Sequence, residues 1–415
     1  MLPPVLEIYV VWHPGDLEGK RAAEQFLAHF HGTPFTGLIG GAVEVYVRSE
    51  GWRSADDAPR PIPFPNAPPP NGVAQAQLTA VVPMLGIELA KAVEPGTGGW
   101  YDYAMHIAKA TSDFPGRVRV FPLQIDSAAT DGTKLGQIFG PFQQIATRPL
   151  GTPPDEPDDE LRCRDLAQGI AQFAGVPGER LTVFISHTKR AGISEESEIL
   201  DLIDRVRSII LRTRLREFFD AKDLQPSELW DEELRAQAAS SAMLALRTDL
   251  YSSREWCQRE MVIAKREGMP IVMLDALSHG EERGSFLMDH VPRVPARHEG
   301  DHWRDADIRL GLNLLVDECL KRALWRRQAQ LGNSRKDLGI SWWAPHAPEP
   351  TTLAAWLESE RKAGRSHAAG TLRILHPDPP LGPEEKFVLD QITGLGHPGP
   401  LLDIMTPRQL AARGG

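Results

Sequence analysis

Residues 252–267, Ser-Ser-Arg-Glu-Trp-Cys-Gln-Arg-Glu-Met-Val-Ile-Ala-Lys-Arg-Glu, follow an apolar strand pattern and have the apolar spacing of an amphipathic helix. The helical repeat predicts that Trp256 and Glu260 lie one turn apart on the same face. Ser252 and Glu255 have the spacing of a capping box, which predicts that the helix begins there. A carboxylate beside an indole at a strand-to-helix junction suits chemistry on a flat cationic ring. The same letters also fit an ordinary helix with a buried tryptophan.

Strand and helix patterns alternate on both sides of this helix. The strand patterns cover residues 181–186, 216–219, 243–246 and 270–274, and the helix patterns cover residues 194–211, 228–240, 253–267 and 305–326. This alternation predicts a doubly wound α/β fold, in which helices cover both faces of a parallel sheet. Because ligands of such sheets bind beyond the carboxyl ends of the strands, we expect a site among the loops after Ser186, Phe219 and Leu246.

The chain of 415 residues is long enough for two or three domains that each bury a core. Proline-rich stretches separate the strand and helix patterns, and they predict domains at residues 1–176, 177–330 and 331–415. The last of these is expected to be a small α/β segment.

Composition excludes several classes of function. A formal net charge of −10 argues against general nucleic-acid binding. No run of 18 apolar residues predicts a membrane span, and the N-terminus lacks the pattern of a secretion signal. The three cysteines, Cys163, Cys257 and Cys319, are far apart, so neither a disulfide framework nor a metal site is expected. A reducing cytoplasm is the expected location.

Three motifs occur in a fixed order in the middle of the chain. They are Phe184-Ile-Ser-His187, Phe218-Phe-Asp-Ala-Lys-Asp-Leu-Gln-Pro-Ser227 and Ser253-Arg-Glu-Trp-Cys-Gln-Arg-Glu260. They resemble, in turn, box one, the second strand with its BB loop, and the Ser-x-x-Trp-Cys-x-x-Glu signature of the Toll/interleukin-1 receptor (TIR) domain family. The resemblance covers residues 180–325. It implies a flavodoxin-like doubly wound parallel sheet.

In the enzymatic prokaryotic branch of that family, the glutamate of the signature cleaves the nicotinamide–ribose bond of NAD⁺. The resemblance therefore implies that Glu260 is catalytic and that NAD⁺ is a substrate, with no bound cofactor or metal. The leaving nicotinamide is already cationic and needs no acid, while a carboxylate stabilises the oxocarbenium charge on the ribose. The products are nicotinamide and either ADP-ribose or a cyclic ADP-ribose. Members of this branch act in antiphage defence by depleting NAD⁺.

The resemblance also implies contacts for other side chains. The predicted substrate-binding residues are Ser186, His187, Lys189, Arg190, Phe219, Trp230 and Trp256. The residues predicted to mediate assembly are Lys222, Asp223 and Pro226 of the BB-like loop. Such assembly would give a homo-oligomer or filament, and a separate sensor or activator is a further expected partner. For His187 the alternative is a loop histidine bonded to backbone. Cys257 has no activating neighbour in sequence and is predicted to be a packing residue.

Residues 100–109 align with residues 256–265, with identical Trp, Met, Ile, Ala and Lys, and with Ala104 at the position of Glu260. We therefore expect the TIR-like fold to be present twice, with a degenerate first copy that docks, senses or regulates. Two functions remain open at this point. One is an NAD⁺ hydrolase that depends on Glu260, and the other is a non-enzymatic TIR scaffold that assembles for signalling.

Overall fold

In this computed structural model the described residues are 4–35, 43–54, 57–65, 75–145, 158–175, 181–188, 193–213, 215–218, 241–281, 283–365, 370–394 and 401–413. The chain divides into two compact units. The first unit comprises Met1–Pro177 with Ala323–Gln328, and the second comprises Gly178–Arg322 with Ala329–Gly415. Both contain parallel β-sheets with helical connections, so the protein belongs to the α/β class.

The first unit is built on one parallel sheet. Its strands are β1 (Leu6–Val11), β2 (Val43–Arg48), β3 (Leu78–Leu85), β4 (Val118–Val120) and β5 (Leu123–Gln124), and its helices are α1 (Leu17–Phe30), α2 (Ile87–Val93), α3 (Gly99–Asp113), α4 (Lys134–Phe139) and α5 (Asp158–Ala174). The strand order is β2-β1-β3-β4, and β5 pairs with the carboxyl end of β3. All eight residues of β3 are buried, because a central strand of a parallel sheet is covered on both faces.

Asp16 fixes the start of α2 in the first unit. Its carboxylate accepts hydrogen bonds from the backbone N–H groups of Glu88 at 2.8 Å and Leu89 at 3.0 Å. These N–H groups lie in the first turn of the helix, where they have no partner within the helix. The carboxylate therefore acts as a cap supplied from a distant part of the chain.

The second unit contains the sheet that the motifs predicted. Its strands are β6 (Thr182–His187), β7 (Arg216–Phe218), β8 (Ser241–Arg247), β9 (Ile271–Asp275) and β10 (Arg293–Pro295), and its helices include α6 (Ile193–Leu211) and α7 (Glu255–Arg266). The order β7-β6-β8-β9-β10, with every pair parallel, is the 2-1-3-4-5 order of flavodoxin-like sheets. The first four strands of the first unit have the same relative order.

The prediction fails at the start of α7 and at the end of the long helix that follows it in the chain. The capping box at Ser252 and Glu255 is wrong: the residue before α7 is Arg254, it makes no side-chain cap, and the Ser252 hydroxyl donates to Glu281 instead. The long helix α8 runs over Asp305–Asn333, so it continues past residue 326, where the predicted helix ends. The next strand in the chain is Trp342–Trp343. The helix predicted at residues 228–240 lies outside the described residues.

The C-terminal segment forms a smaller parallel sheet within the second unit. It is preceded in the chain by a short antiparallel pair, β11 (His298–Glu299) and β12 (His302–Trp303). Its own strands are β13 (Trp342–Trp343), β14 (Thr371–Leu375) and β15 (Leu401–Met405). Its helices are α9 (Pro350–Lys362), α10 (Pro383–Gly394) and α11 (Pro407–Ala412). Leu353, Ile374 and Leu389 lie in its core. The segment contacts α7, because Lys265 of α7 forms an ion pair with Glu349 at 2.8 Å.

None of the helices in the described part of the chain is both long enough and apolar enough to span a membrane.

Candidate functional site

The candidate site lies at the carboxyl edge of the larger sheet in the second unit. The next strand in the chain after β6 is β7, which pairs with one edge of β6, whereas β8 pairs with the opposite edge. The direction in which strands are added therefore reverses between β6 and β8. Ligands of open α/β sheets bind beside such a reversal. Ser186 near the end of β6, the turn that follows β8, and helix α7 meet at this position.

Three buried side chains form a continuous chain of hydrogen bonds there. The Ser186 hydroxyl donates to Glu260 Oε2 at 2.6 Å, and it lies 2.7 Å from the hydroxyl of Tyr251. Tyr251 is fully buried, and Ser186 and Glu260 are 1% and 2% exposed. The sequence separations are 74 residues for Ser186 with Glu260 and 65 for Ser186 with Tyr251. The fold therefore assembles this cluster from segments that are remote in sequence.

The direction of these hydrogen bonds follows from the hydrogens that are present. Burial, together with the nearby Cys257 and Glu260, raises the pKa of the Tyr251 phenol well above its ordinary value, so the phenol keeps its proton. A serine hydroxyl has one hydrogen, and Ser186 donates it to Glu260. Tyr251 must then donate to Ser186 Oγ. The two hydroxyls form a relay that ends on the Glu260 carboxyl oxygen, and hydrogen bonds donated to such a group favour its ionised form.

Helix α7 places Glu260 in this cluster because one of its faces is packed against the sheet. Cys257, Met261 and Ala264 of that face are buried in the core, and Glu260 lies beside them. The Cys257 thiol lies 3.6 Å from the His187 carbonyl oxygen, and the residue is 1% exposed, which confirms the prediction that it packs. Glu260 and Lys265 are thus the buried polar residues of a helix whose other buried residues are mainly apolar.

Trp256 and His187 border the cluster. Trp256 is half-buried against the core, and the guanidinium carbon of Arg259 lies 5.7 Å from its ring centroid. One face of the indole therefore already has a cationic neighbour. His187 is half-buried, and its Nδ1 lies 3.2 Å from the Thr188 carbonyl oxygen. This is the backbone contact expected of the alternative, structural role.

The other predicted site residues lie outside the described part of the chain. They are Lys189, Arg190, Phe219, Lys222, Asp223, Pro226 and Trp230. Their roles in substrate contact and assembly stay predictions.

Tyr251 is the site residue that sequence reasoning missed. It belongs to a short 3₁₀ turn, Tyr251–Ser253, directly before α7. The protein has only 5 tyrosines, and a tyrosine one residue before the predicted helix start was the available clue. Within the described residues, no group of three or more His, Cys, Asp or Glu side chains is arranged to hold a metal ion.

The helix of the first unit whose sequence aligns with α7 has a different environment. Along the chain, helix α3 comes directly before the fourth strand of its sheet, as α7 does. It contains Trp100 and Ala104. Both are buried, at 5% and 3% exposure, and the Trp100 ring centroid lies 5.2 Å from that of His13. The position aligned with Glu260 is therefore filled by a methyl group in an apolar core.

The arrangement in the second unit can hold one carboxylate in a fixed orientation, away from bulk water, beside an aromatic side chain. Such a group suits the stabilisation of positive charge that develops on a substrate, because the low dielectric strengthens the interaction. Comparison of the chain with protein-family models, with curated proteins and with solved structures finds no match.

Proposed function

We propose that this protein is a TIR-like NAD⁺ hydrolase in which Glu260 stabilises the ribose oxocarbenium ion as nicotinamide leaves. The observation that carries the proposal is the buried Ser186–Tyr251–Glu260 relay at the carboxyl edge of a sheet with the 2-1-3-4-5 order. A carboxylate at that place costs desolvation free energy, and apolar packing alone would not require it. Buried ionisable groups that specific hydrogen bonds hold in such places are candidates for catalysis.

The burial of Glu260 gives the proposal a kinetic consequence. At 2% exposure the carboxylate does not meet solvent, so a ribose ring reaches it only after neighbouring segments rearrange. If assembly between copies drives that rearrangement, turnover rises more than proportionally with protein concentration. In a cell the same activity would deplete NAD⁺, which fits a role in antiphage defence.

The first unit supports a division of labour between two TIR-like copies. The first four strands of the two sheets have the same order, and the helix with Trp100 precedes the fourth strand in the chain, as α7 does. Because Ala104 offers no carboxylate, we propose that the first copy is degenerate and serves docking or regulation.

The experiment follows nicotinamide release from NAD⁺ at several protein concentrations for the wild type, Glu260→Gln and Glu255→Gln. Gln at residue 260 keeps an oxygen that accepts the Ser186 hydrogen bond, so the fold is retained while the charge is lost. Glu255 is the matched control, because it lies on the same helix and is exposed. We expect turnover in the wild type and the control and its loss in Glu260→Gln. Equal turnover in all three proteins would remove Glu260 from the mechanism.

The alternative is a scaffold without chemistry, in which the relay only stabilises the junction of β6, β8 and α7. This alternative is favoured by the closed environment of Glu260. It predicts no nicotinamide release at any concentration and the same assembly, measured by light scattering, in the wild type and Glu260→Gln.

A further inference from the structure

The segment that joins β8 to α7, residues 248–254, is here named the connector. Thr248 Oγ1 lies 3.0 Å from Thr188 Oγ1, in the loop after β6. The carboxylate of Asp249 accepts the backbone N–H groups of residues 278, 279 and 280 at 3.0, 2.9 and 3.1 Å. The loop after β9 and the loop after β6 therefore both hold the connector.

An ion-pair network beside the connector continues this restraint. Arg247, the last residue of β8, binds Glu281 in a two-pronged geometry, with Nε to Oε1 at 2.9 Å and Nη2 to Oε2 at 2.5 Å. Its Nη1 donates to Asp275 Oδ1, at the end of β9, at 3.1 Å. The Ser252 hydroxyl donates to Glu281 Oε1 at 2.5 Å. The network thus runs from the end of β9 to the residue that follows Tyr251.

The network is well protected from solvent. The side chains of Arg247 and Glu281 are 13% and 6% exposed, and Ser252 is 2% exposed. Paired, charge-assisted hydrogen bonds fix both distance and orientation, unlike a single contact between flexible surface side chains. Glu281 therefore holds Ser252, and through it Tyr251, in a defined place relative to the ends of β8 and β9.

We propose that Arg247 and Glu281 are positioning residues that act through Ser252 to hold the Tyr251 phenol against Ser186 and the carboxylate of Glu260. The proposal rests on the proposed function for its catalytic consequence, since Glu260 is catalytic only there. Its structural part, the placement of Tyr251, is independent of any reaction. Neither residue touches the carboxylate, so loss of either would weaken orientation and leave the carboxylate present.

The placement of Tyr251 can be measured by labelling the protein with 3-fluorotyrosine and recording ¹⁹F NMR spectra. The protein has 5 tyrosines, and Tyr251→Phe assigns the signal of Tyr251. In Glu281→Ala we expect the Tyr251 signal to shift while the other four keep their positions. Arg247→Lys, which keeps the charge and loses the paired geometry, and Ser252→Ala, which removes a single hydrogen bond, should shift the same signal less.

The matched control is Glu358→Ala. Glu358 binds Arg361 with the same paired geometry, at 2.9 and 2.8 Å, but on the exposed surface of α9. This variant should leave all five signals unchanged. If Glu281→Ala fails to fold, Arg247→Lys and Ser252→Ala still report on Tyr251. An unmoved Tyr251 signal in the folded variants would overturn the proposal.

The same variants are then assayed for nicotinamide release. Misplacement of a positioned group by about 1 Å lowers rates by about a hundredfold, so we expect kcat to fall by about tenfold to a hundredfold in Glu281→Ala. KM should stay within about twofold, because the variants change the placement of Tyr251 and leave the Glu260 carboxylate present. Unchanged kcat together with a shifted Tyr251 signal would overturn the catalytic part. If the wild type releases no nicotinamide, the proposed function fails, while a selective shift of the Tyr251 signal still supports the positioning.

Discussion

The buried ion pair between Lys265 and Glu349 gives a prediction that depends on burial and charge and is independent of the proposed function. The pair joins α7 to the start of α9, and its side chains are 3% and 5% exposed. Lys265 Nζ also donates to the Asp289 carbonyl oxygen at 2.7 Å. Two opposite charges 2.8 Å apart attract by about 6 kcal/mol at an effective dielectric constant of about 20. Burial nevertheless lowers the pKa of Lys265 and raises that of Glu349, so desolvation outweighs this attraction.

These opposing terms predict a strongly non-additive pair of substitutions. Lys265→Met leaves the Glu349 carboxylate buried without its partner and should cost about 3–5 kcal/mol. Glu349→Gln leaves a buried ammonium and should cost a similar amount, while its amide oxygen still serves the capping box that Glu349 forms with Thr352. In the double variant both charges are gone, and stability should return to within about 1–2 kcal/mol of the wild type.

Hydrogen exchange, measured by mass spectrometry on peptides from α7 and α9, reports the free energy of opening at this place. The control is Lys362→Met, which removes an exposed lysine 3.5 Å from Glu358 on α9 and should cost less than about 0.5 kcal/mol. The Lys265→Met deficit should also shrink from pH 8 to pH 5. The pKa of the Glu349 carboxyl is raised by burial, so the folded state binds a proton more readily than the unfolded state as the pH falls. Additive single-variant costs in the double variant would refute the reasoning.

Two further predictions concern other buried polar groups. Burial lowers the pKa of both His346 and His376 from 6.5 to about 4. Their contribution to stability is therefore present above pH 6.5 and lost as the pH falls towards 4, by about 3 kcal/mol for each histidine. Urea unfolding at pH 7 and pH 4.5 measures this loss of stability, and the loss should be smaller in His376→Gln. An unchanged pH dependence in that variant would contradict the assignment. Asp16→Ala removes the cap of α2 and should cost about 1–2 kcal/mol. Asp16→Asn should cost less, because its amide oxygen can still accept a backbone hydrogen bond. We expect faster amide exchange confined to α2 in Asp16→Ala. Equal exchange rates in the two variants would count against the cap.

The sequence predicted the sheet of the second unit well because its strands carry local patterns. Six of the seven residues of β8 are buried, and the apolar run that produces this burial is visible without any knowledge of the fold. The amphipathic repeat likewise placed α7 at residues 253–267, within two residues of its ends at Glu255 and Arg266. Local pattern and tertiary environment agree at these elements, which is why the prediction holds.

The same local reasoning failed at the start of α7. A serine three residues before a glutamate is a capping box only if both side chains turn towards the helix backbone. Ser252 instead donates to Glu281, which is 29 residues away in sequence. The partnership of Tyr251 with Ser186 was hidden for the same reason, since 65 residues separate them. Contacts between loops at the carboxyl edge of a sheet depend on strand order, which no local pattern specifies.

The two units together indicate why the carboxylate of Glu260 needs an explanation beyond packing. At the aligned position of the first unit, Ala104 fills an apolar core, and β1 of that unit, with the sequence LEIYVV, carries no serine or threonine. A helix between the third and fourth strands of such a sheet therefore packs without an acid. In the second unit, a buried carboxylate brings a desolvation cost of several kcal/mol, which Ser186 and Tyr251 offset through their hydrogen bonds. The second unit thus joins an acid on its helix to a hydroxyl on its first strand, whereas the aligned helix position of the first unit is Ala104, and the acid and hydroxyl of its first strand, Glu7 and Tyr9, bond each other. A costly polar cluster that the fold does not require, located where such sheets bind ligands, favours chemistry over scaffolding as the role of α7.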